Sequence, residues 1–440
     1  MRQKNTATIN KLSKQRKELV GYCRFLNNDK VDWENIHKEK SKDLNNRSEG
    51  LHVLVANDTT ECNYESHRNY LNVKDKDLGP VGNNKDIGFF CHPGMVINAS
   101  NGVSLGFSYI NIWNRRFDKK DKNERDYKNQ PIEEKESYRW LECGIVSKEL
   151  LNKAKAITVV ADRESDIYEE FILVPDERTN LIIRSRCDRA TVEGESLYKS
   201  INAKQVSGSY NLKVRTTKKR QGRNTEIEVK YTKGKIKKPK NRNIAKEIPE
   251  HIELTVVEAK EINKHVPQGE EPIHWILLTT HEVNSINNAF QIITWYSMRW
   301  QIELLFATMK SKGMNIEASE LESGKALKSM CVLTLYVSLL INQLRQLRND
   351  TSGISASIAF TEMQIELLKS LCKEYEGNTV KQKNPHKEKT MAWAAWTIAR
   401  LGGWKGYSCE CPPGNKTFKW GLDRLDGVYE GYMIAKKMCA

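Results

Sequence analysis

Three acidic residues, far apart along the chain, have sequence settings that suit metal-dependent chemistry. Asp58 follows the apolar run LHVLVAN, Asp162 follows the apolar run AITVVA, and Glu303 lies in the apolar segment AFQIITWYSMRWQIELLFATMKSKG. Strand ends in α/β folds gather at one edge of the sheet, so the two aspartates are predicted to lie together. Carboxylate oxygens suit Mg²⁺ or Mn²⁺. We therefore predict that the three acids are catalytic and bind two such ions, which can promote an in-line phosphodiester reaction.

The segment around Glu303 is predicted to form one helix from Ala289 to Gly313. At about 100° per residue, Tyr296, Arg299, Glu303 and Lys310 fall within a stripe about 60° wide. Arg299 and Lys310 are expected to hold DNA phosphates beside the ions, and Tyr296 to donate to a phosphate oxygen. The same spacing also fits an ordinary salt-bridged helix face, because Arg299 and Glu303 are four residues apart.

The charge of the chain indicates a polyanionic partner. The 440 residues carry a net charge of +15, which favours nucleic acid, although a solubilising surface is the alternative. Between Lys213 and Arg242 there are 13 Lys or Arg residues against 2 Glu. This run lies on alternating segments typical of antiparallel strands, so it predicts a basic sheet surface for a phosphate backbone.

Composition argues against membrane and secreted classes. The longest apolar run, Cys331–Ile341, has about half of the ~20 residues that a membrane span needs. The first residues lack the apolar segment of a secretion signal. The ten cysteines are scattered without a CxxC pair, which favours reduced thiols in the cytoplasm. We expect a cytoplasmic protein that does not contact a membrane.

The order of predicted elements indicates an α/β fold with a mixed sheet. Two alternating apolar runs flank Asn101-Gly102, which is a strong hairpin signal. The run ending at Asp162 is predicted to be a buried central strand, followed by a helix in RESDIYEEF. The predicted parts are a helical DNA-contacting region (1–48), a catalytic domain (49–350) with an antiparallel β insertion (about 195–275), and a helical C-terminal region (351–440).

These motifs together resemble a known family. The signature Tyr-x2-Arg-x3-Glu-x6-Lys of bacterial cut-and-paste DDE transposases, the insertion-sequence family typified by the transposase of transposon five, is matched by Tyr296, Arg299, Glu303 and Lys310. The family's other two acidic motifs are matched by Asp58-Thr59-Thr60 and by Asp162-Arg163-Glu164-Ser165-Asp166. Weaker matches are Arg184, the segment EKESYRWL at 134–141 and WAAWTIARLGG at 393–403.

The resemblance implies a fold, an activity and partners. It implies a ribonuclease-H-like core interrupted by a β-rich insertion, with Asp58, Asp162 and Glu303 as ligands of Mg²⁺ or Mn²⁺. It also implies cutting and joining of double-stranded DNA at transposon ends and target, through a hairpin intermediate, by a homodimer in the bacterial nucleoid. Trp275, in HWILLTT, matches the tryptophan on which the family stacks a flipped base, and Trp300 is a second candidate. Core packing is the alternative for Trp275.

One departure from the family leaves two further hypotheses open. The chain begins later than the family's end-recognition region and keeps only the part that ends near GYCRFLNN. We therefore weigh an active transposase against a truncated, non-transposing DNA-binding protein that inhibits full-length transposase by dimerising with it. A structure-specific nuclease is the third hypothesis, and it predicts cleavage of branched DNA without strand transfer.

Overall fold

The computed structural model describes residues 7–438 except 14, 72–74, 118–128, 215, 218–219, 241–242, 311–313 and 408. The strands are β1 (His52–Asn57), β2 (Thr60–Asn63), β3 (Gly79–Val81), β4 (Asp86–Asn98), β5 (Ser104–Trp113), β6 (Ala156–Ala161), β7 (Thr179–Arg184), β8 (Gly208–Val214), β9 (Arg223–Lys237), β10 (His251–Glu261) and β11 (His274–Thr279). The helices are α1 (Ile9–Leu12), α2 (Arg16–Leu26), α3 (Trp33–Ser41), α4 (Leu44–Arg47), α5 (Tyr138–Leu150), α6 (Glu170–Leu173), α7 (Leu197–Asn202), α8 (Ile286–Met298), α9 (Trp300–Lys310), α10 (Gly324–Leu347), α11 (Glu362–Tyr375), α12 (Met391–Leu401) and α13 (Asn415–Met438).

One mixed sheet joins all of these strands. Its order is β2-β4-β1-β6-β7-β11-β10-β9-β8, and β3 and β5 also pair with β4. The central strands β1, β6 and β7 are parallel, whereas β11 pairs with β7 in the antiparallel sense. The predicted α/β class with a mixed sheet is confirmed. The antiparallel strands of the insertion extend the same sheet rather than forming a separate layer.

Both faces of the central strands are covered. Along β1, Val53 and Val55 belong to one buried cluster, while Leu54 and Ala56 belong to another. Successive side chains of a strand point to opposite faces, so a strand buried on both faces must be apolar throughout. This explains the unbroken apolar runs before Asp58 and Asp162. The cluster of Val53 also contains side chains of α5 and α12, and the cluster of Leu54 contains side chains of α8, α9 and α10.

Helix α10 is a core helix. It is long and apolar enough to cross a membrane by length and composition, but 78% of its most apolar window is buried inside the protein. Gln343, on its buried side, donates to the carbonyl oxygen of Ser104 at 2.6 Å. The helix therefore packs against the β4–β5 hairpin.

The structure confirms one local prediction and corrects two. β4 and β5 pair around the turn at Asn101-Gly102, where Gly102 has φ +72°. The helix predicted in RESDIYEEF is wrong: the segment forms a 3₁₀ turn at Arg163–Ser165, and α6 begins only at Glu170. The single helix predicted from Ala289 is also wrong, because it breaks at Arg299 between α8 and α9. Gly313, its predicted end, lies outside the described residues.

Candidate active site

Two aspartates meet where the parallel strands end. β1 and β6 pair with Ala56 opposite Val160, so Asp58 and Asp162, each two residues further on, leave the sheet at the same edge. One oxygen of each carboxylate is fixed by a nearby backbone amide. The N–H of Thr59 donates to Oδ1 of Asp58 at 2.8 Å, and the N–H of Glu164 donates to Oδ1 of Asp162 at 2.9 Å.

Arg299 connects the first acid to the third. Its Nη1 donates to Oδ2 of Asp58 at 2.9 Å, and its Nη2 donates to Oε1 of Glu303 at 2.8 Å. The break between α8 and α9 lies at Arg299, whose N–H bonds to the carbonyl oxygen of Tyr296 in a tight turn. The arginine side chain is only 12% exposed. Asp58 and Glu303 therefore lie one guanidinium group apart, although 245 positions separate them in the chain.

The electrostatics of this edge are those of a crowded anionic site. Burial and the nearby charge of Asp162 raise the pKa of Asp58 to about 6, against the opposing effect of Arg299 and of the Thr59 amide. Burial works against the charge of Arg299, but Tyr296, Asp58 and Glu303 raise the pKa of Arg299 above its ordinary value. The guanidinium thus balances carboxylates that would otherwise repel one another.

The donor set fits a hard divalent ion. All three acids offer oxygen ligands only, which Mg²⁺ and Mn²⁺ prefer. In the part of the chain that the structure describes, however, no three His, Cys, Asp or Glu side chains are grouped closely enough to hold an ion as they stand. The guanidinium of Arg299 already occupies Oδ2 of Asp58 and Oε1 of Glu303. Ion binding would therefore require Arg299 to leave at least one of these oxygens.

Tyr296, Arg184 and Trp275 lie beside the acids. Tyr296 is 5% exposed, and its hydroxyl interacts with both Arg184 and Arg299. Burial lowers the pKa of Arg184, and its Nη2 donates to the carbonyl oxygen of His274 at 3.0 Å. The ring of Trp275 meets that of Tyr296 edge to face, with 5.1 Å between centroids. The structure thus brings these three residues to the same edge as Arg299.

Two other predicted residues have different surroundings. Lys310 pairs with Glu317, with Nζ and Oε1 3.1 Å apart, and the same Glu317 oxygen accepts from the backbone N–H of Asn63. Its ammonium group is thus held against β2 rather than against Glu303. Trp300, at the start of α9, is 59% exposed. The predicted stripe therefore contributes Tyr296, Arg299 and Glu303 to the site, while Lys310 lies apart from them.

Sequence reasoning missed a group of residues behind the acids. Arg139, at the start of α5, donates from Nε to Oγ1 of Thr59 at 3.0 Å and from Nη2 to Oε2 of Glu164 at 3.0 Å. His92, on β4, is fully buried and lies 2.9 Å from the same Thr59 oxygen through Nδ1. The only signal for Arg139 is its place in the segment EKESYRWL. No spacing in the chain points to His92.

A family model matches part of the chain. Residues 148–340, a little under half of the chain, match the model of a family described as Transposase DDE domain. The matched part contains Asp162 and Glu303 and begins after Asp58. This match supports a transposase of the DDE class.

Structural comparison adds one distant likeness. The chain is similar to the cryo-EM structure of piggyBac transposase synaptic complex with hairpin DNA, with 9% sequence identity and a TM-score of 0.34. The alignment covers 86% of this chain and 57% of that one. The chain therefore spans little more than half of the length of that protein.

Proposed function

We propose that this protein is a DNA transposase with a ribonuclease-H-like catalytic core, which cuts and joins DNA with Mg²⁺ or Mn²⁺ at Asp58, Asp162 and Glu303. The observation that carries the proposal is that Arg299 bridges Asp58 and Glu303 at the sheet edge from which Asp162 also leaves. Two divalent ions at this site would activate the attacking oxygen and stabilise the leaving oxygen. The family match over residues 148–340 supports the same class.

The chain's own residues have separate roles in this proposal. Asp58 and Asp162 would hold the ions through the oxygens that do not bond a backbone amide, once Arg299 has left Oδ2 of Asp58, and Glu303 would complete the ligand set from α9. Arg299 moves to a phosphate of the bound strand when its carboxylates turn to the ions, since guanidinium binds phosphate in a bidentate way. Arg184 and Tyr296 orient the phosphate beside it. Trp275 receives an unstacked base during hairpin formation.

A row of lysines on β9 is the proposed path of the DNA backbone. Lys233, Lys235 and Lys237 alternate along the strand and are exposed, while Ile236 between them is fully buried. Alternation places the three ammonium groups on one face, roughly 6.6 Å apart along the strand. Lys233 has Glu253 of β10 at 4.0 Å, an exposed pair that contributes little. The row is therefore available for phosphates.

The outer half of α13 is the proposed contact with a second copy. Leu422 and Leu425 in its first half are fully buried, whereas Val428 and Tyr432, which follow on the same side of the helix as Leu425, are 40% and 47% exposed. An apolar stripe that continues beyond the core contacts is typical of a helix that pairs with another helix. Because Lys436 and Lys437 follow this stripe, we expect the pairing to form in the DNA complex, where phosphates offset their charge.

The test is a nicking and joining assay with the full chain. The substrates are supercoiled plasmid and a duplex that carries the sequences flanking the gene, with Mg²⁺ or Mn²⁺. We expect nicking by the wild type and its loss in Asp162→Asn and in Glu303→Gln, with unchanged melting temperatures. Cleavage at the wild-type rate by either variant would refute the assignment. Glu317→Gln, near α9 but outside the acid cluster, is the matched control and should keep its activity.

The inhibitor and nuclease hypotheses give different results in the same assay. An inhibitor would show no nicking, would bind flanking DNA weakly and would form mixed dimers with a full-length transposase. A structure-specific nuclease would cut branched DNA but would yield no joined product. The complete set of three acids favours an active enzyme over the inhibitor.

A further inference from the structure

The two aspartates of the site are carried by separate loops that need a common support. Asp58 lies between β1 and β2, and Asp162 lies between β6 and the 3₁₀ turn at Arg163–Ser165. Each Oδ1 is held by a local amide, but these bonds act within one loop only. Like charges on neighbouring loops repel each other. A contact that joins the two loops from outside would therefore help to fix the separation of the two carboxylates.

Arg139 contacts both loops at once. Its Nε donates to the hydroxyl of Thr59, next to Asp58, and its Nη2 donates to the carboxylate of Glu164, two residues after Asp162, both at 3.0 Å. Nη1 donates to the carbonyl oxygen of Glu136 at 2.6 Å, which fixes the guanidinium to the start of α5. One rigid, planar group thus links the two loops to a third element.

The surroundings of Arg139 hold its guanidinium in place. Its Cζ lies 5.0 Å from the ring centre of Trp113 and 5.4 Å from that of Trp140, within the range of cation–π attraction. The side chain is 11% exposed. A long side chain so enclosed loses little further freedom when it bonds both loops, whereas its partner Glu164 is 63% exposed.

His92 fixes the Thr59 side of the link. Its ring is buried edge-on against Trp140, with 4.6 Å between centroids. Burial lowers the pKa of His92 well below its usual range, and the charge of Arg139 adds to this. The imidazole is therefore neutral, and the Thr59 hydroxyl can donate to Nδ1 while it accepts from Arg139. The residue after Asp58 is thus held from two sides.

We infer that Arg139 is a positioning residue, which sets the distance between Asp58 and Asp162 by bonding Thr59 and Glu164, and so determines how tightly the site binds its ions. This inference rests on the proposed function, because it takes the two aspartates as ion ligands. Groups that orient metal ligands typically change metal affinity by about 10- to 100-fold when they are removed. In this inference Arg139 acts through Thr59 and Glu164.

The experiment measures Mn²⁺ binding to the DNA-free full chain by electron paramagnetic resonance. We expect Arg139→Gln to raise the Kd for Mn²⁺ by at least tenfold. Nicking should then need more Mn²⁺ for half its maximal rate, while the rate at saturating Mn²⁺ stays within about threefold of wild type. The Kd for Mn²⁺ of Arg139→Lys should lie between those of the wild type and Arg139→Gln. Added methylguanidinium should restore the Mn²⁺ affinity of Arg139→Ala.

Arg115→Gln is the matched control. Arg115 lies over the ring of Phe90 at 4.5 Å and pairs with Glu136 at 2.8 Å, so it is likewise an arginine that combines an aromatic contact with an ion pair. Its Kd for Mn²⁺ should equal that of the wild type. Equal affinities in Arg139→Gln and the wild type, with both folded, would overturn the inference. Absence of Mn²⁺ binding and of nicking in the wild type would instead overturn the proposed function.

Discussion

Removal of the Arg299 guanidinium should tighten ion binding in the DNA-free protein. In the wild type an arriving ion competes with two charge-assisted hydrogen bonds, to Asp58 and to Glu303. Each such bond contributes about 1.5 kcal/mol at the low end of its range, which suits a partner that is 37% exposed like Glu303. This value already includes exchange with water, so an ion that displaces at least one of the two bonds loses about 1.5 kcal/mol of binding free energy. Arg299→Gln should therefore bind Mn²⁺ about tenfold more tightly.

Calorimetric titration of Mn²⁺ into the DNA-free variant checks this magnitude. Lys310→Gln is the control, because it removes a charge from the end of α9 that pairs with Glu317 at 3.1 Å and leaves the acids alone. Its Mn²⁺ affinity should stay close to that of the wild type. An affinity in Arg299→Gln that is unchanged or weaker would refute the idea that the guanidinium competes with the ion.

In contrast to its effect on ion binding, Arg299→Gln should weaken DNA binding. If Arg299 moves to a phosphate in the complex, Arg299→Gln releases one counterion fewer, and the slope of log K against log salt concentration should fall by about 0.9. Fluorescence anisotropy over a salt series measures this slope. An unchanged slope would show that Arg299 makes no phosphate contact.

Three further changes test neighbouring parts of the molecule. Trp275→Ala should slow hairpin formation more than first-strand nicking in a gel assay, and equal effects on both would favour a packing role. Gly421→Ala should lower the melting temperature, because a Cβ there would lie 1.8 Å from the carbonyl oxygen of Ile398. Gly427→Ala on the same helix is the control. A Cβ at Gly427 meets nothing within 4 Å, so this variant should be neutral or stabilising. Burial lowers the pKa of Lys419 from 10.5 to about 7, so the folded state binds this proton less tightly than the unfolded state does. The free energy of unfolding is therefore reduced as the pH falls below 10.5, and the reduction is largest below pH 7. Lys419→Met should therefore melt higher at pH 7, by an advantage that shrinks as the pH rises, and a constant difference would contradict this.

The elements of the core were predictable because their signals are local. The hairpin follows from Asn101-Gly102, and the central strands follow from apolar runs long enough to be buried on both faces. Strand pairing in the insertion was not predictable in the same way. The alternation of apolar and polar residues identifies β8, β9 and β10 as strands. It does not indicate that β11 connects them to β7 in the sheet, because the register and the partner of a strand depend on the whole sheet.

The site was only partly predictable for a related reason. A helical projection places Arg299 beside Glu303, four residues away, but its bond to Asp58 spans 241 positions. The projection also treats the segment as one helix, although it breaks at Arg299, and it cannot show that the Lys310 ammonium pairs with Glu317. Arg139 bonds Thr59 across 80 positions. No periodicity within one element can reveal such contacts.

Charge balance at the site gives a reason for ions and DNA to bind together. Four carboxylates, Asp58, Asp162, Glu164 and Glu303, have three arginines around them, Arg139, Arg184 and Arg299, so four negative charges meet three positive ones and the edge is close to neutral without ions. Divalent ions added alone would leave it with excess positive charge in a protein that already carries +15. A phosphate backbone supplies the missing negative charge and a new partner for the displaced guanidinium. Because such coupling is reciprocal, DNA that strengthens ion binding must itself be bound more tightly when the ions are present.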